Sequence, residues 1–213
     1  MNNFSAAIFD LDGTLLDSLG VWSDIDRVFL AKRGIVLTPD YTAAVSTMSF
    51  SEAAVYTISR YGFRDTPEEI SAEWEHMVED EYAHRITLKP FAREYLELLH
   101  SRGVKMGVAT ALSERLYRPA LENNGITPYF SAYASVFEAA RGKGFPDVYL
   151  LAAKRLGVLP TECAVFEDVL PGIRGARAAG METIAVYDAY SAPEESVMRQ
   201  EADYYIKNFQ ELL

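Results

Sequence analysis

Apolar residues in this chain fall into two textures that change near residue 88. Apart from one short run, Ala6-Ala7-Ile8-Phe9, the first part spaces them at helical intervals; the second alternates compact apolar runs with amphipathic stretches. The run at 6–9 predicts a buried strand of a parallel sheet. Over 20–33, Val21, Trp22, Ile25, Val28 and Phe29 predict a helix with one apolar face, and Gly34 suits the position just past its end. Thr38-Pro39-Asp40 opens a second helix, since Thr and Asp cap well and Pro fits a first turn. A polar break follows at 46–51, then a helix over 52–60 that ends near Gly62. Thr66-Pro67-Glu68-Glu69 reads as a capping box that starts a helix running to about residue 84. Residues 16–87 are therefore expected to be mainly helical, with no convincing strand.

Beyond Leu88 the pattern predicts helices over 93–102, 113–123, 148–156 and 172–179, and strands over 104–109, 132–136, 163–166 and 183–186. Short strands alternating with short helices predict an α/β fold, a doubly wound, Rossmann-like parallel sheet. The strand at 6–9 must join that sheet. Residues 1–15 and 88–213 are thus expected to form the core, and 16–87 an inserted α-helical module, with crossings near 15–19 and 86–91 as hinge candidates.

Composition narrows the function classes. The 213 residues are 49% hydrophobic and 24% charged, enough for a proper core. A net charge of −11 speaks against general affinity for nucleic acid or an anionic membrane. The one cysteine, Cys163, excludes an internal disulfide framework, fits a reducing compartment, and reads as a buried structural thiol. No signal-peptide pattern and no apolar run near 18 residues is present, so a soluble, cytoplasmic protein is expected.

Candidate chemistry gathers at predicted strand ends, where open α/β sheets bind ligands. Asp10 and Asp12 would share one face of a continuing strand, and Gly13 permits a sharp turn just past them. No basic residue occurs before Arg27, so the two acids need a cation between them, and a hard divalent metal is the natural candidate. An Asp-rich turn would explain Asp and Gly here. Yet Asp-x-Asp-Gly-Thr arises by chance in only about one chain in a thousand of this length, at roughly 5% per residue type, which favours chemistry. Thr110 follows a predicted strand and precedes a helix, where its hydroxyl and neighbouring backbone N–H groups suit a phosphate oxygen. Lys143 lies in a Gly-bracketed loop, Arg141-Gly142-Lys143-Gly144-Phe145-Pro146-Asp147, and Glu167-Asp168 closes the strand that begins at Cys163. Singly each has an ordinary explanation: a helix cap for Thr110, a solvated loop for Lys143, a helix start for the acids. Together they place acid, hydroxyl and ammonium on one sheet edge.

With those residues in place, the chain resembles the haloacid-dehalogenase superfamily, in its branch of small phosphatases and β-phosphoglucomutase with a helical cap after the first strand. The resemblance covers essentially the whole chain. It implies Asp10 as nucleophile and Asp12 as general acid/base in Phe9-Asp10-Leu11-Asp12-Gly13-Thr14. It implies Thr110, with Ala111 beside it, and Lys143 of Gly-Lys-x-x-Pro-Asp as phosphate-binding residues. Magnesium would be held by Asp10, the backbone carbonyl of Asp12, Asp168, and Glu167 directly or from the outer shell. The implied activity is hydrolysis of a small phosphomonoester, a sugar phosphate first among them, with oligomeric state open and a monomer allowed.

Two alternatives stay open. Mutase members carry a cap histidine twelve residues after the nucleophile and a valine after the motif's glycine; Trp22 and Thr14 stand there instead, which favours a phosphatase. Trp22 reads equally as core or substrate-facing, and 46–51 as a cap specificity loop. A non-enzymatic interaction protein is the other alternative, and the intact acid pair argues against it. A second acid also argues against dehalogenation, where the leaving halide needs no proton. Lys32 reads as a complement to its helix dipole rather than a Schiff-base lysine. His76, His84 and His100 lack metal-ligand spacing, and Tyr56, Tyr61, Trp74 and Tyr82 read as packing.

Overall fold

A computed structural model of the chain describes residues 4–45, 48 and 50–213. Residues 46, 47 and 49 of the expected specificity loop at 46–51 therefore lie outside the described residues. The chain divides into two units, Met1–Leu19 with Ile86–Leu213, and Gly20–Arg85.

The first unit is built on a six-stranded sheet of β1 (Ala6–Phe9), β4 (Lys105–Thr110), β5 (Ala132–Ser135), β6 (Cys163–Glu167), β7 (Glu182–Val186) and β8 (Tyr204–Ile206). Their spatial order is β5-β4-β1-β6-β7-β8, and every pairing is parallel. The α/β, Rossmann-like expectation holds, with β1 at the centre. Phe9 is level with Val108 on one side and Phe166 on the other, so these three strands end within two residues of one another.

The two sheet faces are filled differently. On one, Ala6, Ile8, Ala109, Ala132, Ala134 and Val165 pack on α7 (Asp147–Leu156) and α8 (Leu170–Ala178), whose own contacts include Tyr149, Ala152 and Ala176. Small strand side chains let these helices approach closely. On the other face, Phe9 stacks on Phe166 at 4.5 Å, and Tyr95 of α5 (Ala92–Ser101) stacks on Phe209 at 5.5 Å. Period-2 alternation puts Ile8 and Asp10 toward the α7 face, and Val165 and Glu167 likewise.

Two elements depart from the expected all-helical insertion. β2 (Leu16–Asp17) pairs antiparallel with β3 (Thr87–Leu88), and Lys89 N–H donates to Leu15 O at 2.8 Å. Two-residue strands are too short to show alternation. α6 (Glu114–Asn123) follows β4, and α9 (Glu195–Glu201) precedes β8; neither α9 nor β8 was expected from the sequence pattern.

The second unit holds α1 (Val21–Lys32), α2 (Pro39–Val45), α3 (Phe50–Tyr61) and α4 (Pro67–His84). The capping box forms: Glu69 N–H donates to Thr66 Oγ1 at 3.2 Å, and Thr66 N–H to Glu69 Oε2 at 2.8 Å. Val21, Ile25 and Phe29 of α1 are buried, and Phe29 meets Trp74 edge-on at 5.2 Å. Trp22 and Val28 are 42% and 41% exposed, so the buried stripe is narrower than the apolar pattern suggests and Trp22 is not core. Tyr56 and Tyr61 pack on buried Tyr41, and the Arg60 guanidinium lies over all three rings while holding Asp40 at 2.5 Å. That cationic occupant makes the tyrosine cluster packing. Among the described residues, no helix is long and apolar enough to cross a membrane.

Half-buried Asp26 of α1 has its carboxyl pushed up to about 6 by burial. A raised folded-state value means that ionisation works against folding once pH passes the ordinary aspartate range near 3.8. We expect Asp26→Asn to stabilise the chain by about 1 kcal/mol at pH 7.5, after discounting for partial exposure. The gain should fade as pH falls to 4. Urea unfolding at the two pH values measures it, and an equal effect at both contradicts the assignment.

Candidate active site

β1 ends at Phe9, and the next residue, Asp10, is buried with its N–H donated to Phe166 O of β6 at 3.0 Å. The chain then turns on itself. Leu15 and Leu16 N–H both donate to Leu11 O, at 3.0 and 2.8 Å, and Gly13 adopts φ +75. A side chain at 13 would be strained by that φ, and its Cβ would stand 2.3 Å from Asp168 Oδ2. The glycine therefore lets the carboxylate of Asp168, just past β6, come up against the turn.

Lys143 reaches the same point from the segment before α7. Gly142 O accepts from Phe145 N–H at 3.0 Å, and Arg141 covers the Phe145 ring at 4.3 Å while bridging to Asp147 at 2.8 Å. From this braced turn, Lys143 Nζ donates to Asp10 Oδ1 and, at 2.7 Å, to Glu167 Oε1. Tyr149 Oη of α7 donates to the same Glu167 oxygen at 2.8 Å. Glu167 in turn lies against α8, where a Cβ at Gly172 would come 2.4 Å from its Cδ. Thr14, fully buried, donates its one hydroxyl proton between Asp10 Oδ2 at 3.3 Å and Asp168 Oδ1 at 3.2 Å.

Asp10, Glu167 and Asp168 each offer an oxygen within 4.8 Å of the others, and all three are buried. One ammonium cannot balance three carboxylates out of water. Burial pushes the Asp168 carboxyl well above the usual range, and the charges of Asp10 and Glu167 add to that. Burial also raises Glu167, against the opposing pull of Lys143. Burial opposes the Lys143 charge as well, but Asp10 and Glu167 together outweigh it and hold the lysine protonated. The asymmetry follows from numbers: Lys143 has two carboxylates, and they share one ammonium. Glu167 Oε2 and Asp168 Oδ2 have no hydrogen-bond partner among the described residues. Two orphaned, buried carboxylate oxygens in an all-oxygen donor set fit a hard divalent cation.

Of the residues expected from sequence, Asp10, Lys143, Glu167 and Asp168 are brought together directly. Asp12 stands outside that group: its half-buried carboxylate accepts the Ser18 hydroxyl at 2.6 Å. Thr110 is buried at the end of β4, its Oγ1 accepting Leu112 N–H at 3.0 Å, and Ala111 beside it is exposed. Thr14, Ser18, Tyr149 and Gly172 were not expected as site residues. Thr14 carried a signal, being part of the Asp-x-Asp-Gly-Thr run; the others sit in unremarkable helical or loop contexts.

Residues 7–186 match the haloacid dehalogenase-like hydrolase profile. The chain is 30% identical over 205 residues to a bifunctional riboflavin kinase/FMN phosphatase of Arabidopsis thaliana, aligning 96% of itself but spanning only 53% of that protein. It is 29% identical to hexitol phosphatase A of Escherichia coli, covering 96% of this chain and 91% of the relative. Among solved structures, a candidate beta-phosphoglucomutase from Thermotoga maritima superposes with a TM-score of 0.83 at 25% identity, over 95% of this chain and 94% of that one.

The Glu167 contact gives a stability test. Helix propensity alone would favour Gly172→Ala by about 1 kcal/mol. Overpacking against a pinned carboxylate costs about 1–3 kcal/mol, so a net loss is expected in urea unfolding. Gly142→Ala, where a Cβ meets nothing within 4 Å, is the control and should be neutral or slightly stabilising. A gain at 172 equal to that at 142 contradicts the crowding.

Proposed function

The chain belongs to the haloacid dehalogenase-like hydrolase family, and on that premise we propose that it is a magnesium-dependent phosphatase of small phosphomonoesters, working through an aspartyl-phosphate on Asp10. The observation that carries this reading is the Lys143 ammonium bonded at once to Asp10 and Glu167, with Asp168 completing a buried acidic trio. Such a set suits transfer of an anionic group and is costly without one.

Phosphate monoesters resist hydrolysis because an anionic group repels its attackers. Asp10, Asp168 and the Asp12 carbonyl would hold magnesium, with Glu167 inside or just outside its shell. Bound there, the ion would supply positive charge that reduces repulsion between a carboxylate nucleophile and an anionic phosphoryl group. In the first step an Asp10 oxygen bonds to phosphorus as the ester P–O bond breaks, and Asp12 gives its proton to the leaving oxygen. In the second, water attacks phosphorus, Asp12 takes the water's proton, and the Asp10–phosphorus bond breaks. Ser18, donating to Asp12, holds that carboxyl in one orientation. Lys143 adds fixed charge beside the transferring group, and Thr110 with the Ala111 backbone is the proposed phosphate cradle.

Sugar and polyol phosphates are the proposed substrates, as for the hexitol phosphatase, while the FMN phosphatase relative extends the test panel to flavin nucleotides. The likeness to a beta-phosphoglucomutase structure favours a second reading, transfer between two hydroxyls of one hexose. The helical insertion over 16–87 is the proposed cap module.

Phosphate release from a panel of sugar, polyol and flavin phosphates, with magnesium and with chelator, tests the reading. We expect release with magnesium and none with chelator. Asp10→Asn should reduce it by more than about a hundredfold with the fold intact by circular dichroism. Undiminished release by that variant contradicts Asp10 as nucleophile. Conversion of a hexose 1-phosphate to its 6-phosphate, in place of free phosphate, selects the mutase.

A further inference from the structure

A second buried ion pair lies beyond the residues assigned so far. Lys89 Nζ is 2.5 Å from Asp188 Oδ2, with the side chains only 13% and 6% exposed. Both partners are fixed by backbone contacts. Lys89 follows β3 directly and its N–H is bonded to Leu15 O, while Asp188 Oδ1 accepts Tyr190 N–H at 2.8 Å. Asp188 stands two residues past the end of β7, the strand beside β6.

Register places this pair near the acidic trio. Glu167 is level with Ala185, so Asp168 is level with Val186 and Asp188 lies two residues farther on the adjoining path. Strand spacing of about 5 Å and a rise of about 3.3 Å per residue put the two backbones roughly 8 Å apart. A buried pair of this kind is poor stabilisation compared with well-packed apolar residues, so its presence beside a charged site calls for another reason.

We propose that Lys89 and Asp188 are positioning residues that set the site's field: Asp188 strengthens its hold on a divalent cation, and Lys89 offsets that charge so that a phosphate dianion still binds. This rests on the reading of Asp10, Glu167 and Asp168 as the cation site. Four buried carboxylates (these three and Asp188) face two ammoniums, Lys143 and Lys89. The excess is two negative charges, which one dication balances.

The charge logic gives opposite signs that loosened packing would not. Magnesium, and inorganic phosphate at saturating magnesium, are titrated calorimetrically into the whole protein. Lys89→Met should bind magnesium more tightly and phosphate more weakly; Asp188→Asn should do the reverse. Each shift is on the order of fivefold, the effect of a unit charge on a divalent one at about 8 Å in a high dielectric. Lys89→Met with Asp188→Asn together should return both affinities to within about twofold of the unaltered chain, a window well below one unit charge's effect. If Lys89→Met fails to fold, Asp188→Asn and the double variant still carry the sign test. Both affinities falling in the folded single variants, or neither moving beyond twofold, overturns the proposal while leaving the cation site standing. No magnesium binding by the unaltered chain overturns the cation site, and this proposal with it.

Discussion

The structure turns on one ammonium group. Lys143 Nζ bonds to Asp10 and Glu167 together, and without it three carboxylates would crowd a site shut off from water. Breaking a buried pair by removing one partner costs about 3–5 kcal/mol, so every element that delivers Lys143 or its partners is constrained. The braced turn before α7, the Tyr149 hydroxyl on Glu167, and the bare Cα of Gly172 all serve this contact. Even so, the lysine leaves the trio over-charged. Burial holds Glu167 and Asp168 above the usual carboxylate range until further positive charge arrives, which is what one expects of a site prepared for a cation and an anion together.

The sheet makes this arrangement inexpensive to build. Central β1 lies between β4 and β6 in matched register, so Asp10, Thr110 and Asp168 arrive at one edge without any long loop. Alternation then turns Asp10 and Glu167 to the face where alanines let α7 and α8 come close. The opposite face carries the bulk: stacked Phe9 and Phe166, with Tyr95 and Phe209. Rigid aromatic packing behind the strands and close helices before them hold the polar edge in place.

The parallel sheet and most of its helices were legible because their apolar periodicities are long and unmixed. Asp10, Lys143, Glu167 and Asp168 were legible only as a set: each alone has an ordinary explanation, but two acidic strand ends and a Gly-bracketed lysine loop converging on one sheet edge do not share one. What escaped had weaker signals. β2 and β3 are two residues each, and β8 is three, too short for a period to register. Trp22 and Val28 fit the helical spacing of α1, but a pattern does not say how wide a stripe its neighbours cover. Tyr149 looks like any apolar-face residue of α7, since only the hydroxyl, reaching a strand residue eighteen positions on, gives it a part in the site. Lys89 and Asp188 meet across 99 residues, a pairing that no local reading can anticipate.

On the proposed reading, Asp10 and Asp168, backed by Glu167 and the Lys143 ammonium, form the seat of a divalent cation. Crystals soaked in manganese, which shares magnesium's preference for oxygen ligands, would locate it by anomalous scattering. A peak is expected within bonding distance of carboxylate oxygens of both Asp10 and Asp168, at about 2.0–2.2 Å as for a small hard cation. An ion bound elsewhere in a well-ordered crystal, with those two carboxylates left unligated, would contradict it.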